Sequence, residues 1–321
     1  MKSMSNYHIA NVEFNKKSVH LSALSFALSG CLDTAVLCFK PSLSYLKQVE
    51  ALKLPTQTFV LMDQVPQGAL IDPWALTTSI HQYAQVHKLR LKYPFHPLHE
   101  SLDSKAHALY VYRPLFESLL IQSQDEALAY LKGQQGRYVL KTDLGQSGKG
   151  HFFVDAATAQ LPSITFKNIR LERWVERVFD FSSQWLLDDK LNFMGLCELV
   201  NNRKGGYLSS RFPIQTTPFQ ELLDEHLAVV TPILQTFFDQ GYRGHLGVDA
   251  FIYKDQGLKL CALIEINPRK TMGYLALHLA RHFQKPCEIT LGPYDPKISL
   301  LPSSIEGCQH QFKTSLNLTF V

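Results

Sequence analysis

The chain has 321 residues, of which 45% are hydrophobic, 19% charged and 11% aromatic. That apolar content excludes a disordered chain, and the length suits about two domains of ordinary size or one large one around a substantial buried core. With 32 Lys and Arg against 28 Asp and Glu, a formal net charge of +4, the balance argues against a nucleic-acid coat or a polybasic membrane anchor. The amino-terminal stretch MKSMSNYHIANVEFNKK carries no apolar signal-peptide core. No apolar run approaches the ~20 residues that cross a bilayer. Cys31, Cys38, Cys197, Cys261, Cys287 and Cys308 are scattered without a CxxC or a Cys/His cluster, which reads as free thiols in a reducing cytoplasm.

Between Asp33 and Leu89 the pattern alternates strand and helix. DTAVLCFK (33–40) is a short apolar strand, SLSYLKQVEALK has helical spacing, and TQTFVLMD (56–63) is a second strand. Asp72-Pro73 reads as the cap and first position of a helix through WALTTSIHQYAQVHK. This alternation predicts a parallel, Rossmann-like α/β layer over residues 1–100. It carries no GxGxxG motif, so its shape assigns no dinucleotide.

A second region starts near Ser101. Ser123 and Glu126 form a capping box for the helix EALAYLKGQQG, which stops at Gly133 or Gly136. RYVLK (137–141) and HFFV (151–154) are strands joined by the glycine-rich LGQSGKG. IRLERWV, FSSQWLL, FMGLCELV and GGYLSSRF are four further strands. A long helix runs from Phe219 to Gln240 on the apolar stripe Leu223, Leu227, Val230, Leu234 and Phe237. Asp255-Gln256-Gly257 then turns between two strands, GVDAFIYK and LKLCALIEIN.

That last hairpin carries the clearest chemistry. Centred on Gln256, it sets Asp249 opposite Leu263 and gives Asp249, Glu265 and Asn267 one shared face. Val248, Ala250, Ile252, Ile264 and Ile266 form the apolar face behind it. A diagonal pair on neighbouring strands lies roughly 7–8 Å apart, within reach for two carboxylates to bracket one cation. Two carboxylates and an amide oxygen are hard ligands, suited to Mg²⁺ or Mn²⁺. The loop is not a Walker A sequence, because Asp143 and Gly150 stand where that motif needs Gly and Ser or Thr. Its glycines still let backbone N–H groups approach a polyphosphate. Trp174 and Trp185 read as core aromatics, and His151 as a hydrogen-bonded structural histidine.

The order Ser104-Lys105, capped helix, strand ending in Lys141, glycine-rich loop, Glu172-Arg-Trp-Val175, long helix, Asp249 and Glu265-Ile-Asn267-Pro-Arg269 resembles the ATP-grasp superfamily. That superfamily includes D-alanine–D-alanine ligase, glutathione synthetase and biotin carboxylase. The resemblance covers about residues 100–285 and is sharpest at EINPR followed by TMG. It implies an α/β fold, α+β in its carboxy-terminal part: a Rossmann-like domain (1–100) before a two-lobed ATP-grasp unit (101–321). The small lobe would be 101–175 and the large lobe 176–321.

By this resemblance Lys105 and Lys141 contact ATP phosphates, and Gly145, Gln146, Ser147, Gly148, Lys149 and Gly150 close over them. Glu172, Arg173, Trp174 and Val175 form the adenine hinge, with Glu172 accepting the base's amino group, and Asp180 holds the ribose. Asp249, Glu265 and Asn267 ligate the metal, and Arg269 meets the substrate carboxylate or phosphate. The arginine common two residues before the metal aspartate is Gly247 here, leaving Arg243 and Arg211 as candidates. The resemblance implies ATP with Mg²⁺ or Mn²⁺ as cofactors. Its implied activity is ligation of a small-molecule carboxylate to an amine or a thiol, with an amino acid or peptide as the substrate class, through an acylphosphate with release of ADP and phosphate. It leaves room for a homodimer and implies neither nucleic-acid nor membrane partners. Phosphoryl transfer alone, or nucleotide binding without ligation, stays open as another use of the same site.

Overall fold

The computed structural model describes residues 6–9, 19–106, 109, 118–143, 150–305 and 313–321. Three sheets organise them. The first is parallel and five-stranded, ordered β3-β2-β1-β4-β5, with β1 Tyr7–Ile9, β2 Thr34–Leu37, β3 Phe59–Leu61, β4 Leu70–Pro73 and β5 Arg90–Leu91. β2, Thr-Ala-Val-Leu, is buried along its whole length, as a strand covered on both faces must be. Helix α1 (Ser25–Leu28) precedes it; α2 (Leu43–Ala51) and α3 (Thr78–Val86) lie between strands and start at Ser42 and Thr77, whose side chains accept from Tyr45 N and Ile80 N. The three-residue β1 at the centre of this sheet is absent from the sequence prediction. Asp72-Pro73 also corrects it: the pair closes β4, and the helix starts five residues later. Asp and Pro suit a strand end facing a polar partner as well as a helix start, and burial decided between them.

After α4 (Leu98–Ser101), the second sheet is four-stranded, ordered β6-β9-β7-β8. Its strands are β6 Ser118–Ile121, β7 Arg137–Lys141, β8 His151–Asp155 and β9 Ile169–Arg173. Helix α5 (Gln124–Leu131) packs on it, and Ser123 caps this helix by accepting from Glu126 N. Glu126 in turn accepts from Gln122 N at 2.7 Å, one residue before the expected box partner.

The third sheet has seven strands, ordered β14-β13-β10-β11-β12-β15-β16. They are β10 Arg177–Leu187, β11 Leu191–Asn201, β12 Tyr207–Phe212, β13 Gly244–Lys254, β14 Leu258–Asn267, β15 Cys287–Pro293 and β16 Thr314–Phe320. All its pairings are antiparallel. The long helix α6 (Gln220–Asp239) lays Leu223, Val230, Leu234 and Phe237 on one face of this sheet. His226 completes that stripe fully buried, bonded to Ala262 O at 2.7 Å and to Ser183 Oγ at 2.8 Å. Helix α7 (Met272–Phe283), capped by Thr271, covers the opposite face. No helix among the described residues is long and apolar enough to cross a membrane. Cys31, Cys38, Cys197, Cys261 and Cys287 are free thiols.

The two ends of the chain share one core: Phe26, Leu37 and Tyr45 pack with Leu275, Leu279 and Ile289. A buried ion cluster locks the same junction. Asp72, at the end of β4, takes Lys270 Nζ at 2.7 Å and Lys92 Nζ at 3.0 Å. His8 stands 3.6 Å from Asp72 and 3.0 Å from Asp33. Removing one member of a buried pair strands the other's charge, at about 3–5 kcal/mol. Asp72→Asn should therefore lower the thermal midpoint by more than about 5 °C. An unchanged midpoint in a calorimetric scan would show that this cluster contributes nothing to the junction.

Candidate active site

β13 and β14 bring the acidic residues together by a register that counting back from the turn misses. Near the turn the pairing is as expected, with Phe251 opposite Cys261. A bulge then sets Ala250 against three residues of β14, and Asp249 faces Glu265 directly instead of Leu263. The bulge also turns Ile264 away from the α6 side: it clusters with Phe251, Cys261 and Val175, while Val248 and Ile266 pack beneath α6.

Asn267 Nδ2 donates to Asp249 Oδ2 at 3.0 Å, and Ser182 on β10, the partner of Asp249 in the ladder, hydrogen-bonds the same carboxylate. Asp249 and Glu265 are half-buried, and the Glu265 side chain keeps 33% of its surface exposed. Burial, and then the Glu265 charge, push Asp249 up to about 6. Burial also acts to raise Glu265, but the cations Lys105, Lys141 and Arg269 outweigh it and hold that carboxyl below its ordinary value. Repulsion between two such carboxylates is what a divalent cation between them relieves, and the oxygen donor set fits Mg²⁺ or Mn²⁺.

Lysines frame the acids. Lys105 is buried, with Nζ 3.2 Å from Glu265 Oε1. Its segment is pinned by Asp143, which accepts from Ser104 Oγ and Ala106 N, both at 2.9 Å. Lys141 ends β7 and meets Glu172 at 2.5 Å. Burial, with the neighbouring Arg170 and Arg177, lowers the Lys141 ammonium against the opposing pull of Glu172. Gly145, Gln146, Ser147, Gly148 and Lys149 lie outside the described residues. Gly150, at φ +80°, closes the base of the loop: Thr142 N donates to its carbonyl at 3.1 Å, and a Cβ there would collide with the Thr142 hydroxyl.

The hinge differs from the sequence expectation. Glu172 is fully buried and engaged by Lys141 and Arg170; these charges and Arg177 overcome its burial and hold it at about 2. It is committed to cations instead of standing free for a base. Trp174 N donates to Arg137 O at 2.7 Å, and its ring meets Phe153 edge-on. Arg173 is exposed, and Val175 packs with Phe251 and Cys261 as an apolar wall. Asp180 shares the cleft face with Ser182 and, through it, with Asp249. His151 contacts Lys204 O at 3.3 Å, and Trp185 is buried.

The candidate arginines separate. Arg269 stands at the cleft, salt-bridged to Asp103 at 2.6 Å. Arg243 is spent on the end of α6, with Nη1 donating to the carbonyls of Phe238 and Tyr242, both at 2.8 Å, and its guanidinium over the Phe238 ring. Arg211 bridges Glu198 and Glu288, each at 3.2 Å. Ladder parity groups it with Glu198 and Phe181, on the sheet face opposite Ser182 and Asp249. Neither residue meets the acidic pair. Gly247 is enforced by packing, because a Cβ there would lie 2.6 Å from Thr271 Cγ2; an arginine cannot stand in that position. Sequence reasoning missed Ser182, Asp103, Arg170 and Arg177. Only Ser182 had a usable signal, since it shares strand parity with Asp180.

No family model matches the sequence, and no curated protein does. Solved structures do match the fold. N5-carboxyaminoimidazole synthetase from Staphylococcus aureus, complexed with ADP, is 14% identical over 100% of this chain and 94% of its own, with a TM-score of 0.60. Biotin carboxylase from Campylobacter jejuni is 12% identical over 98% and 87%, with a TM-score of 0.63. An ATP-grasp superfamily protein from Archaeoglobus fulgidus is 13% identical over 99% and 100%, with a TM-score of 0.59. The chain has the ATP-grasp fold, a mixed α/β architecture with a parallel sheet ahead of two antiparallel ones.

Proposed function

We propose that the protein is an ATP-dependent, ADP-forming ligase that joins a carboxylate to an amine. The observation that carries this reading is the directly opposed Asp249–Glu265 pair, with Asn267 beside it and the buried Lys105 and Lys141 around it. Structures of the same fold support the nucleotide: the Staphylococcus aureus synthetase is complexed with ADP, and a Hydrogenobacter thermophilus biotin carboxylase domain with MgADP and bicarbonate. A substrate carboxylate attacks the γ-phosphorus of ATP, giving an acylphosphate and ADP. The amine then attacks the acyl carbon, forming an amide and releasing phosphate and a proton.

The difficulty is electrostatic, because an anion must approach a polyanion. Lys105 and Lys141 bind and orient the phosphates, and Arg269 meets the substrate carboxylate. Asp249, Glu265 and Asn267 would hold Mg²⁺ or Mn²⁺, which when bound shields the polyphosphate charge. Gly145–Gly150 exclude water from the acylphosphate. Arg173, Trp174 and Val175 flank the base, with Asp180 on the ribose. An amino acid or peptide is the substrate class proposed, acted on by a cytoplasmic enzyme.

Purified protein with Mg·ATP and paired carboxylate and amine mixtures should release phosphate only when both partners are present, with an amide product equimolar to ADP by mass analysis. ADP formed with a phosphorylated product and no amide would assign phosphoryl transfer instead. Nucleotide binding without ADP across the whole panel would remove the enzyme reading.

A further inference from the structure

Thr271 and Gly273, the ends of the TMG segment that follows EINPR, meet the strand that carries Ser182. Helix α7 starts here, and Tyr274 N donates to Thr271 Oγ1 at 3.1 Å. The Thr271 hydroxyl donates in turn to Gln184 Oε1 at 2.7 Å, and Gln184 Nε2 donates to Ser182 Oγ at 2.9 Å. Ser182 hydrogen-bonds the carboxylate of Asp249, its partner in the ladder. Gln184 and Ser182 stand two apart on β10, share one face and are both fully buried.

The groups themselves fix the direction of this relay. An amide oxygen only accepts, and an amide nitrogen only donates. Thr271 therefore gives its single proton to Gln184. Ser182 already accepts from Gln184, so its own proton is left for Asp249. Asn267 Nδ2 donates to Oδ2 of the same carboxylate at 3.0 Å. Two donors on different strands thus hold Asp249, and its remaining lone pairs are left for a cation.

The relay needs glycine at position 247, the ladder partner of Gln184. A Cβ there would lie 2.6 Å from Thr271 Cγ2 and 3.5 Å from Gln184 Oε1. A Cβ on Gly273 would lie 2.8 Å from Gln184 Nε2. The arginine that the sequence resemblance leads one to expect at 247 and the Thr271–Gln184 contact exclude each other.

We propose that Gln184 is a positioning residue of the metal site: acting through Ser182, and itself oriented by Thr271, it holds the Asp249 carboxylate in the direction that receives a divalent cation. This rests on the metal reading above. Without the amide, the Ser182 hydroxyl is free to turn its proton away from Asp249, and the carboxylate loses a fixed donor. Groups that orient metal ligands from behind contribute about 10–100-fold to metal affinity.

The test measures the dissociation constant of Mn²⁺ from the protein–ADP complex by electron paramagnetic resonance, beside ADP affinity in EDTA and a thermal scan. Gln184→Met removes the amide at similar length. It should weaken Mn²⁺ binding at least about tenfold and leave ADP affinity in EDTA unchanged. Ser182→Ala should do the same, and combining the two should cost no more than either alone. Thr271→Val should also weaken Mn²⁺ binding, and Thr271→Ser, which keeps the hydroxyl, should retain it. Unchanged Mn²⁺ affinity in Gln184→Met would overturn the proposal. So would a parallel fall in Mn²⁺ affinity, ADP affinity in EDTA and thermal midpoint, which marks a merely structural role. If Gln184→Met fails to fold, the contrast between Thr271→Val and Thr271→Ser decides. Wild-type protein that binds ADP and takes up no Mn²⁺ overturns the metal reading and the relay with it.

Discussion

Glu265→Gln should reduce ADP formation at least a thousandfold, about 4 kcal/mol of transition-state stabilisation, while the protein stays folded. The substitution is isosteric, and the new amide oxygen can still accept from Lys105, which stands 3.2 Å from the present carboxylate. What disappears is one of two charges on a pair that is directly opposed in the ladder. The same charge helps to raise Asp249 to about 6, so Asp249 should titrate closer to an ordinary aspartate in the variant. ADP release measured beside a thermal scan separates lost chemistry from lost structure. Undiminished ADP release would remove the metal assignment.

The second large effect is acid lability. Burial lowers His99 to about 4, His226 to about 4 and His245 to about 3, from an ordinary 6.5. His99 has ring nitrogens on His96 O and Arg243 O, and His226 is bonded to Ala262 O and Ser183 Oγ. Between pH 6.5 and about 4 the unfolded chain binds these protons and the folded chain does not. Stability therefore falls as pH falls through that window, by about 1.4 kcal/mol per pH unit for each histidine. Three together give about 4 kcal/mol per unit, against a total stability of about 5–15 kcal/mol. Cooperative unfolding should occur between pH 4 and 5. Asp33 and Asp72, both held well below the usual carboxylate range by their partners, add a further loss only below about pH 4. Urea midpoints measured from pH 7 to 5 check this, and a flat profile would contradict it.

Both effects depend on burial that the sequence indicates unevenly. The shared face of Asp249, Glu265 and Asn267 was legible because strand alternation is local. Their direct opposition was not, because a bulge within β14 leaves no mark on a hydrophobic pattern. A bulge in β10, between Arg177 and Phe179, escaped for the same reason. Asp72-Pro73 carried a helix-start signature, but its partners are Lys92 and Lys270, the latter 198 positions away. Arg243 looked like a free cation near the site; the end of α6 takes its donors.

The sequence by itself determined the strand–helix–strand alternation of residues 33–61, the strands and the long helix of residues 137–267, and which residues the β13–β14 hairpin turns to its polar face. Those are properties of short segments, set by periodicity, caps and turns within a few residues. Only the tertiary structure decided which charges meet. Lys105 joins Glu265, Arg269 joins Asp103 across 166 positions, and Glu172 is drawn into Lys141 and Arg170. An ion pair forms where folding brings two charges into one poorly solvated space, and that proximity is a property of the packed sheets. The nearly neutral charge of +4 thus conceals a cleft where buried cations and acids oppose each other at hydrogen-bond distance.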